Sequence, residues 1–334
     1  MTAAEATRSR STTRLIDLTD LVFRTPVLGP LAALLIAVMV FALTTDTFFT
    51  VDNLSLVLQQ SVVVGTLALG QTLIILTAGI DLANGSIMVI GTLVIAKEAG
   101  HTHASQVGLL VIGTLICGLL GAINGMLVSR LKLPPFIVTL GALTVLQAVA
   151  RLYTTQTLVA PGGPLTFLSG GYFLYGKFQV TYGVVLVLLT AGVLHYSLTR
   201  TAWGRHVYAV GNDPEAAKRT GIAVQPVLIS VYVLAGLLYA LAAWQSFGRS
   251  PATSANAFPT ANLDTITAVV IGGTSLFGGR GTVLGSYIGA LIVLVLQSGL
   301  TQAGIDPLYQ SVATGILVIL AVAVDQVTRR RSTR

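Results

Sequence analysis

Long apolar stretches without a single charged residue occupy most of this chain, and several reach the roughly 20 residues that a helix needs to cross a bilayer. They are 25–45, 53–80, 82–96, 99–129, 133–150, 152–176, 178–199, 220–248, 265–279, 281–305 and 307–324. Only 9% of the 334 residues are charged, whereas a soluble domain carries about 25%. Disorder would need low hydrophobicity, and 54% of the residues are hydrophobic. The composition therefore predicts an all-α polytopic membrane protein.

Lysine and arginine residues fall between the apolar stretches, and the cytoplasmic side of a membrane protein carries the excess of them. Fourteen fall into four groups that we place in the cytoplasm: Arg8, Arg10, Arg14, Arg24; Arg130, Lys132; Arg200, Arg205, Lys218, Arg219; and Arg329, Arg330, Arg331, Arg334. Lys97, Arg151, Lys177 and Arg249 then lie outside, and Arg280 is ambiguous. An even number of crossings between the cytoplasmic groups predicts about ten transmembrane helices, near 26–45, 57–79, 84–97, 107–129, 135–151, 179–198, 226–247, 263–277, 282–299 and 308–325.

Two of the apolar stretches, 82–96 and 265–279, are too short to cross a bilayer alone. Each adjoins a glycine-rich segment, Gly79–Ser86 or Gly272–Gly281. Helices can break at membrane depth only where protein or a water-filled cavity satisfies the freed backbone groups. We expect two broken helices near a transport pathway, and a tight turn at the membrane edge remains an alternative for each.

The chain is expected to form one transmembrane permease domain over 25–326, with a cytoplasmic tail at 1–24 and a basic cytoplasmic tail at 327–334. Residues 1–24 are polar and no cleavage site follows, so they do not read as a signal peptide, and 1–14 are expected to be disordered. The largest external segments are about 152–178 and 248–262. We predict a lid or re-entrant loop for the first and a small polar loop for the second. Each either contacts an extracytoplasmic partner or simply connects two helices.

The largest cytoplasmic loop, 199–225, contains the signals of a short helix at about 214–220. Asn212 or Asp213 is suited to cap it, Pro214 suits its first position and Glu215 favours its first turn. Ala216 and Ala217 are helix formers, and Gly221 stands where glycine ends helices. An exposed charged helix between two spans favours docking of a partner, and a simple cap on the bundle is the alternative.

Asp81 is the most informative polar residue, since a carboxylate inside a bilayer usually faces a cavity or caps a helix. It is placed to accept N–H bonds from residues 83 and 84, and direct contact with a substrate is the second interpretation. The other residues that we assign to helix caps or to the pathway are Gln71, Asn84, Ser86, Asn124, Thr274 and Ser275, and Gln147 is a further polar residue inside a span. Hydrogen bonding between helices is the commoner use of such residues.

Several functional classes are disfavoured. The sequence has no H-E-x-x-H, no G-x-S-G with a partner histidine and no paired intramembrane aspartates, so it does not read as an enzyme. It also lacks G-x-x-x-x-G-K-[ST], so the chain is not expected to bind ATP. An ion-coupled carrier typically needs more intramembrane carboxylates than Asp81 and Asp264, so this class is disfavoured as well. His101 and His103 have no further metal ligands nearby in the sequence, so a metal site is not expected. Cys117 is interpreted as a buried structural thiol. The basic residues are dispersed, so they do not indicate nucleic-acid binding.

Five ordered blocks resemble the ribose/xylose-type permeases of bacterial ABC importers: LALGQTLIILTAGIDLANGS, LKLPPFIVTLGAL, GRHVYAVGNDPEAAKRTGI, LDTITAVVIGGTSLFGGRGTVLGSYIGALIV and YQSVATGILVILAVAVD. The resemblance runs from about residue 30 to 326. It implies a subunit of the bacterial cytoplasmic membrane with the fold of the vitamin B12-type importer permeases. It also implies a second, usually identical permease, two ATPase modules that are commonly fused in one chain, and an external sugar-binding protein. ATP and Mg²⁺ would be used by the ATPase, and this chain would bind no cofactor.

The resemblance also implies a role for the cytoplasmic loop. Glu215, Ala216, Ala217 and Gly221 match the E-A-A-x-x-x-G core of the importer coupling loop, with Asp213 as its cap, although the pattern further on is not kept. The first break departs from the family at Ala83–Ser86, and Arg151 is followed by Leu152 where an Arg-Gly pair is common. These departures leave the solute open among a monosaccharide, a nucleoside, an autoinducer-type sugar and a branched-chain amino acid.

Overall fold

A computed structural model describes residues 27–101, 105–175 and 178–332. Helices lie at all ten positions predicted from the sequence: α1 (Leu28–Thr44), α2 (Val51–Leu76), α3 (Asn84–His101), α4 (Gln106–Ser129), α5 (Pro135–Tyr153), α7 (Tyr182–Arg200), α10 (Val224–Arg249), α11 (Ala261–Ile271), α12 (Val283–Gln302) and α13 (Pro307–Ser332). Short helices α6 (Phe167–Gly170), α8 (Ala202–Asn212) and α9 (Pro214–Arg219) lie in the connections. The tail 1–24, His103 and Lys177 lie outside the described residues.

Six of these helices are long and apolar enough to cross a membrane: α2, α4, α5, α7, α10 and α12. Buried shares differ widely among them. The most apolar window of α2 is 83% buried inside the protein, whereas that of α5 is 22% buried. The bundle therefore has α2 at its centre, and α5 presents much of its apolar surface outward.

Helix α10 packs along both α4 and α2 and so connects these two helices within the core. Small residues allow this close approach, as in many membrane bundles. A Cβ atom added at Gly121 would overlap the carbonyl oxygen of Tyr232, and one added at Gly236 would overlap that of Cys117. Cys117 is fully buried, and its Sγ lies 3.4 Å from the carbonyl oxygen of Ile87.

The predicted all-α architecture is confirmed as mostly helical, and short strands lie at one end of the bundle. Here β1 (Leu158–Val159) pairs with β4 (Ala252–Thr253), and β2 (Tyr172–Tyr175) pairs with β3 (Phe178–Thr181), both antiparallel. The two segments predicted as separate external loops are thus joined through β1 and β4. Extended segments pair in this way because their backbone N–H and C=O groups need partners.

We call this end of the bundle the strand face, and the opposite end, which holds residues 199–225, the loop face. Arg280, whose side the sequence leaves open, belongs to the loop face, since the adjacent Gly279 lies against Asn212. Helix α13 continues through Ser332, so most of the expected tail at 327–334 is helical.

Candidate functional site

The chain is interrupted twice within its helices, as the glycine-rich segments predict. The first break, residues 77–83, separates α2 from α3, and the second, residues 272–282, separates α11 from α12. The first is largely buried, whereas the second is partly exposed on the loop face. The first segment is therefore a break in the interior of the bundle rather than a turn at its edge.

Asp81 is 1% exposed and ties the first break to α10. Its Oδ1 accepts a hydrogen bond of 2.8 Å from the backbone N–H of Ala83, one of the two donors expected from the sequence. Its Oδ2 accepts a bond of 3.0 Å from the hydroxyl of Tyr239 in α10. The carboxylate thus fixes the start of α3 against a second helix, a bond that the local sequence could not show.

The Gln71 amide holds the same segment from the other side. In the orientation that satisfies the backbone of Asp81, it donates to the carbonyl oxygen of Asp81 at 3.0 Å and accepts from the Asp81 N–H at 3.2 Å. Asn84 donates at 2.7 Å to the hydroxyl of Thr265 in α11. Gln71, Asp81, Asn84, Tyr239 and Thr265 therefore form one buried polar cluster, in which the side chains serve the backbone and one another.

The remaining predicted pathway residues occupy different places. Ser86 lines a cavity beside the start of α3. Asn124 is buried between the glycines at which α4 meets α10. In the second break, Thr274 lies 3.3 Å from the hydroxyl of Ser286, and Ser275 donates to Asp325 of α13 at 3.1 Å.

Asp264, the other carboxylate considered from the sequence, lies in the first turn of α11. It accepts hydrogen bonds from Thr260 at 3.0 Å and from Gln297 at 3.2 Å. Among the described residues, no group of three or more His, Cys, Asp or Glu side chains is arranged to hold a metal ion.

The helix predicted at 214–220 is α9, Pro214–Arg219. Asp213 caps it, with Oδ1 accepting from the N–H groups of Glu215 at 2.9 Å and Ala216 at 3.0 Å. Gly221 follows with a φ of +86°, a left-handed backbone that glycine adopts without strain. Exposed residues of α9 are Pro214, Glu215, Ala216, Lys218 and Arg219, whereas Ala217 is buried against the bundle. Only Ala216 of the two alanines is therefore open to a docking partner.

Beside α9 the loop face has a groove of about 1070 Å³, including its open part. It runs between the end of α4 and the start of α10, and its charged lining residues are Lys132, Glu215 and Lys218. A groove with both signs of charge next to an exposed helix is suited to contact another protein.

Helix α8 is an element that the sequence analysis missed in the loop that also holds α9. Thr201 caps it by accepting from the N–H of Gly204 at 3.2 Å. Buried Val207 and Val210 lie three residues apart on one face, while Arg205 is exposed. This spacing and the threonine cap are the signals that predict it. Trp203 then bonds Ser230 of α10 at 2.8 Å, which fixes α8 against the bundle.

Three backbone segments meet where α8 ends, and we call this place the backbone junction: Leu76 at the end of α2, Gly211 in α8, and Gly278–Gly279 in the second break. Gly279 donates its N–H to the carbonyl oxygen of Leu76 at 3.0 Å. A Cβ added at Gly211 would overlap that same oxygen. The end of α8 thus touches both interruptions with no side chain between them.

Tyr208 adds a side-chain link from α8 to the same place. Its hydroxyl donates to the carbonyl oxygen of Gly281 at 2.9 Å. Burial raises the pKa of this phenol, so the donor stays protonated at neutral pH. Asp213, which caps α9, is only two residues beyond Gly211, so one short stretch of backbone links α9 to the junction.

Comparison with known proteins identifies relatives that are named as sugar import permeases. The fructose import permease protein FrcC of Rhizobium meliloti is 44% identical over 91% of this chain and 86% of its own length. The ribose import permease protein RbsC of Bacillus subtilis is 35% identical over 90% and 92%. The galactose/methyl galactoside import permease protein MglC of Escherichia coli is 31% identical over 91% and 95%. No solved structure matches the chain.

The family comparison covers most of the helical bundle, from Asn53 near the start of α2 into α13. Residues 53–322 match the family described as branched-chain amino acid transport system / permease component. The span includes both interruptions, the buried polar cluster, α8, α9 and the backbone junction. The chain therefore belongs to this family and is a multi-pass membrane permease subunit rather than an enzyme.

Proposed function

We propose that this permease imports a monosaccharide across the bacterial cytoplasmic membrane, driven by ATP hydrolysis in a separate subunit. The observation that carries the proposal is the exposed helix α9, whose cap, Asp213, is two residues from a junction that touches both helix interruptions. Relatives named for fructose, ribose and galactose import support a sugar as the solute. ATP and Mg²⁺ belong to the partner in this scheme.

The assembly that we propose has two copies of the permease, each with ten membrane crossings, both termini in the cytoplasm and a fold like that of the vitamin B12-type importers. Helices at ten predicted positions and the excess of basic residues on the loop face support this topology. A cytoplasmic ATPase, in one tandem chain or two, docks on the loop face. A sugar-binding protein docks on the strand face.

The coupling step follows from the contacts of α9. Its exposed face, with Glu215, Ala216 and Lys218, meets the ATPase, while buried Ala217 anchors it to the bundle. Closure of the ATPase pair moves α9, and Gly211 transmits the movement to Leu76 and Gly278. Because these are backbone contacts, displacement of one segment displaces the others. The pathway then opens at the two interruptions.

Reconstitution tests the proposal. We expect the permease in proteoliposomes with its ATPase and binding protein to accumulate one of D-fructose, D-ribose or D-galactose only when ATP is supplied on the ATPase side. The permease alone should neither hydrolyse ATP nor accumulate sugar. Uptake of L-leucine instead would favour the amino-acid branch of the family, and uptake driven by a proton or sodium gradient through the chain alone would contradict the proposal.

Gly221→Val tests the role of α9 in coupling. Nothing lies within 4 Å of a Cβ at this position, so the substitution costs only backbone strain, about 1–3 kcal/mol, from the φ of +86°. We expect the variant to stay in the membrane, with uptake lowered about fivefold to a hundredfold, since a tenfold change in an equilibrium corresponds to about 1.4 kcal/mol. ATPase that co-purifies with the permease and its stimulation by the loaded binding protein are the measurements.

The matched control is Gly221→Asn, because asparagine tolerates left-handed backbone better than other side chains. It should retain most uptake and most ATPase association. If Gly221→Val behaves like Gly221→Asn in both measurements, α9 serves only as a cap of the bundle.

A further inference from the structure

We propose that the solute binds in a cavity between α5, the start of α3 and the segment that leads from β4 into α11. We call it the α3–α5 cavity, and this assignment rests on the proposed function. The empty space between its lining residues is about 510 Å³ when the part open to solvent is included. It lies on the half of α5 that leads to the strand face. The residues that line it are Leu82, Gly85, Ser86, Val89, Leu143, Leu146, Gln147, Ala150, Arg151, Ala255, Asn256, Ala257, Phe258, Pro259 and Asn262.

The polar lining residues suit hydroxyl groups. Gln147, Asn256 and Asn262 are amides, each of which offers both donors and an acceptor, and a sugar hydroxyl likewise donates and accepts. Ser86 adds a hydroxyl and is 8% exposed. These groups come from three separate elements, α5, the β4–α11 segment and the first turn of α3, and the fold brings them to one cavity.

The charge of the lining separates a sugar from an amino acid. Arg151 is the one charged residue among the lining residues of this cavity, and its Nε donates to Oδ1 of Asn256 at 3.2 Å. No carboxylate lines the cavity to receive the ammonium group of a zwitterion. The apolar wall, which includes Leu143, Leu146 and Phe258, suits the C–H faces of a sugar ring. A neutral polyhydroxylated solute therefore fits better than a branched-chain amino acid.

The segment that carries Asn256 and Phe258 is fixed firmly enough to present these side chains. It begins at β4, which pairs with β1, and Ala257 donates its N–H to Ser254 at 3.0 Å. Phe258 has a φ of +54°, a conformation that a bulky residue adopts only when its surroundings impose it. Next to it, a Cβ added at Gly85 would lie 3.0 Å from the Cβ of Ala261, so α3 and α11 are in close contact below the cavity.

This cavity differs from the pathway that the sequence suggested. Gln71, Asp81 and Asn84 bond to backbone and to each other, whereas Ser86, two residues further, faces open space. The buried cluster holds the break in position, and the α3–α5 cavity above it receives the solute.

Two substitutions test the site in the reconstituted complex. Gln147→Leu and Asn262→Leu each remove one amide, and we expect each to lower uptake of the imported sugar about threefold to tenfold, the loss of one hydrogen bond. Stimulation of ATP hydrolysis by the loaded binding protein should stay within about twofold of wild type, because neither residue contacts α9. The matched control is Thr144→Val on the same helix, outside the cavity, which should transport normally.

If a leucine variant assembles poorly, chemical modification of an introduced cysteine tests the site instead. Cys117, the single natural cysteine, is buried, so a Gln147→Cys variant offers one accessible thiol to a membrane-impermeant methanethiosulfonate reagent. We expect the sugar-loaded binding protein to slow its modification at least about threefold, and L-leucine to have no effect.

Three outcomes are distinguished. Normal sugar uptake by Gln147→Leu and Asn262→Leu, or modification of Gln147→Cys that sugar does not slow, overturns the cavity assignment and leaves the proposed function intact. Protection by L-leucine instead of sugar overturns the solute class. A wild-type complex that imports no sugar overturns the proposed function itself.

Discussion

Gly211→Val is expected to lower sugar uptake strongly while the permease remains in the membrane. A Cβ at position 211 would overlap the carbonyl oxygen of Leu76 and would lie 2.8 Å from the backbone nitrogen of Gly279. Both are backbone atoms, so α8 itself has to move away from α2 and from the second break. Overpacking of this kind costs about 1–3 kcal/mol, against a total stability of about 5–15 kcal/mol for a folded domain.

We expect uptake to fall by up to about a hundredfold, since an energy of about 2.7 kcal/mol, near the top of that range, corresponds to this factor. The ATPase should still bind, because α9 and its Asp213 cap are unchanged, but the loaded binding protein should no longer stimulate hydrolysis. Uptake, yield of the complex and stimulated hydrolysis are measured together.

The chain offers a matched control in Gly192→Val, on α7. A Cβ at position 192 meets no atom within 4 Å, so a valine there tests the loss of glycine in a helix without the overlap. It should transport at close to the wild-type rate. Normal uptake by Gly211→Val would show that the backbone junction is not part of the coupling route.

Asp81→Leu is expected to prevent assembly of the permease. The leucine would leave two buried donors without acceptors, the N–H of Ala83 and the hydroxyl of Tyr239. Each unsatisfied buried donor costs about 1–3 kcal/mol, so the pair together approaches the whole stability of a marginal domain. The yield of folded permease in membranes and its thermal unfolding temperature measure the effect.

Asp81→Asn distinguishes the structural role from a role in transport. Its carbonyl oxygen can accept from Ala83, and its NH₂ can donate to the Tyr239 hydroxyl, which accepts as well as donates. Yield and uptake should therefore stay near wild type. Tyr239→Phe, which removes one partner only, should lower stability by about 0.5–1.5 kcal/mol. Loss of uptake in an assembled Asp81→Asn complex would mean instead that the carboxylate contacts the solute or a proton.

The sequence alone predicts the helical elements because their signals are local. Apolar stretches between basic residues mark the positions of ten helices, since helix hydrogen bonds are made within one segment and need no partner from elsewhere. The cap at Asp213 and the left-handed Gly221 were predictable for the same reason, as the groups involved lie within a few residues of one another. Helix α8 also carries local signals, the Thr201 cap and the spacing of its buried valines, so it too was predictable from the sequence.

Contacts between residues far apart in sequence were decided by the tertiary structure. The sequence identifies Asp81 as a cap, but only the packing of α10 brings the Tyr239 hydroxyl to its second oxygen, 158 positions away. Likewise β1 and β4 show no strand pattern of their own, and each becomes a strand because the fold lays it beside the other. The α3–α5 cavity and the backbone junction depend on the same fact. Each is formed by segments that meet only when helices pack, and the energy of packing depends on shape and burial in three dimensions, which local sequence patterns do not encode.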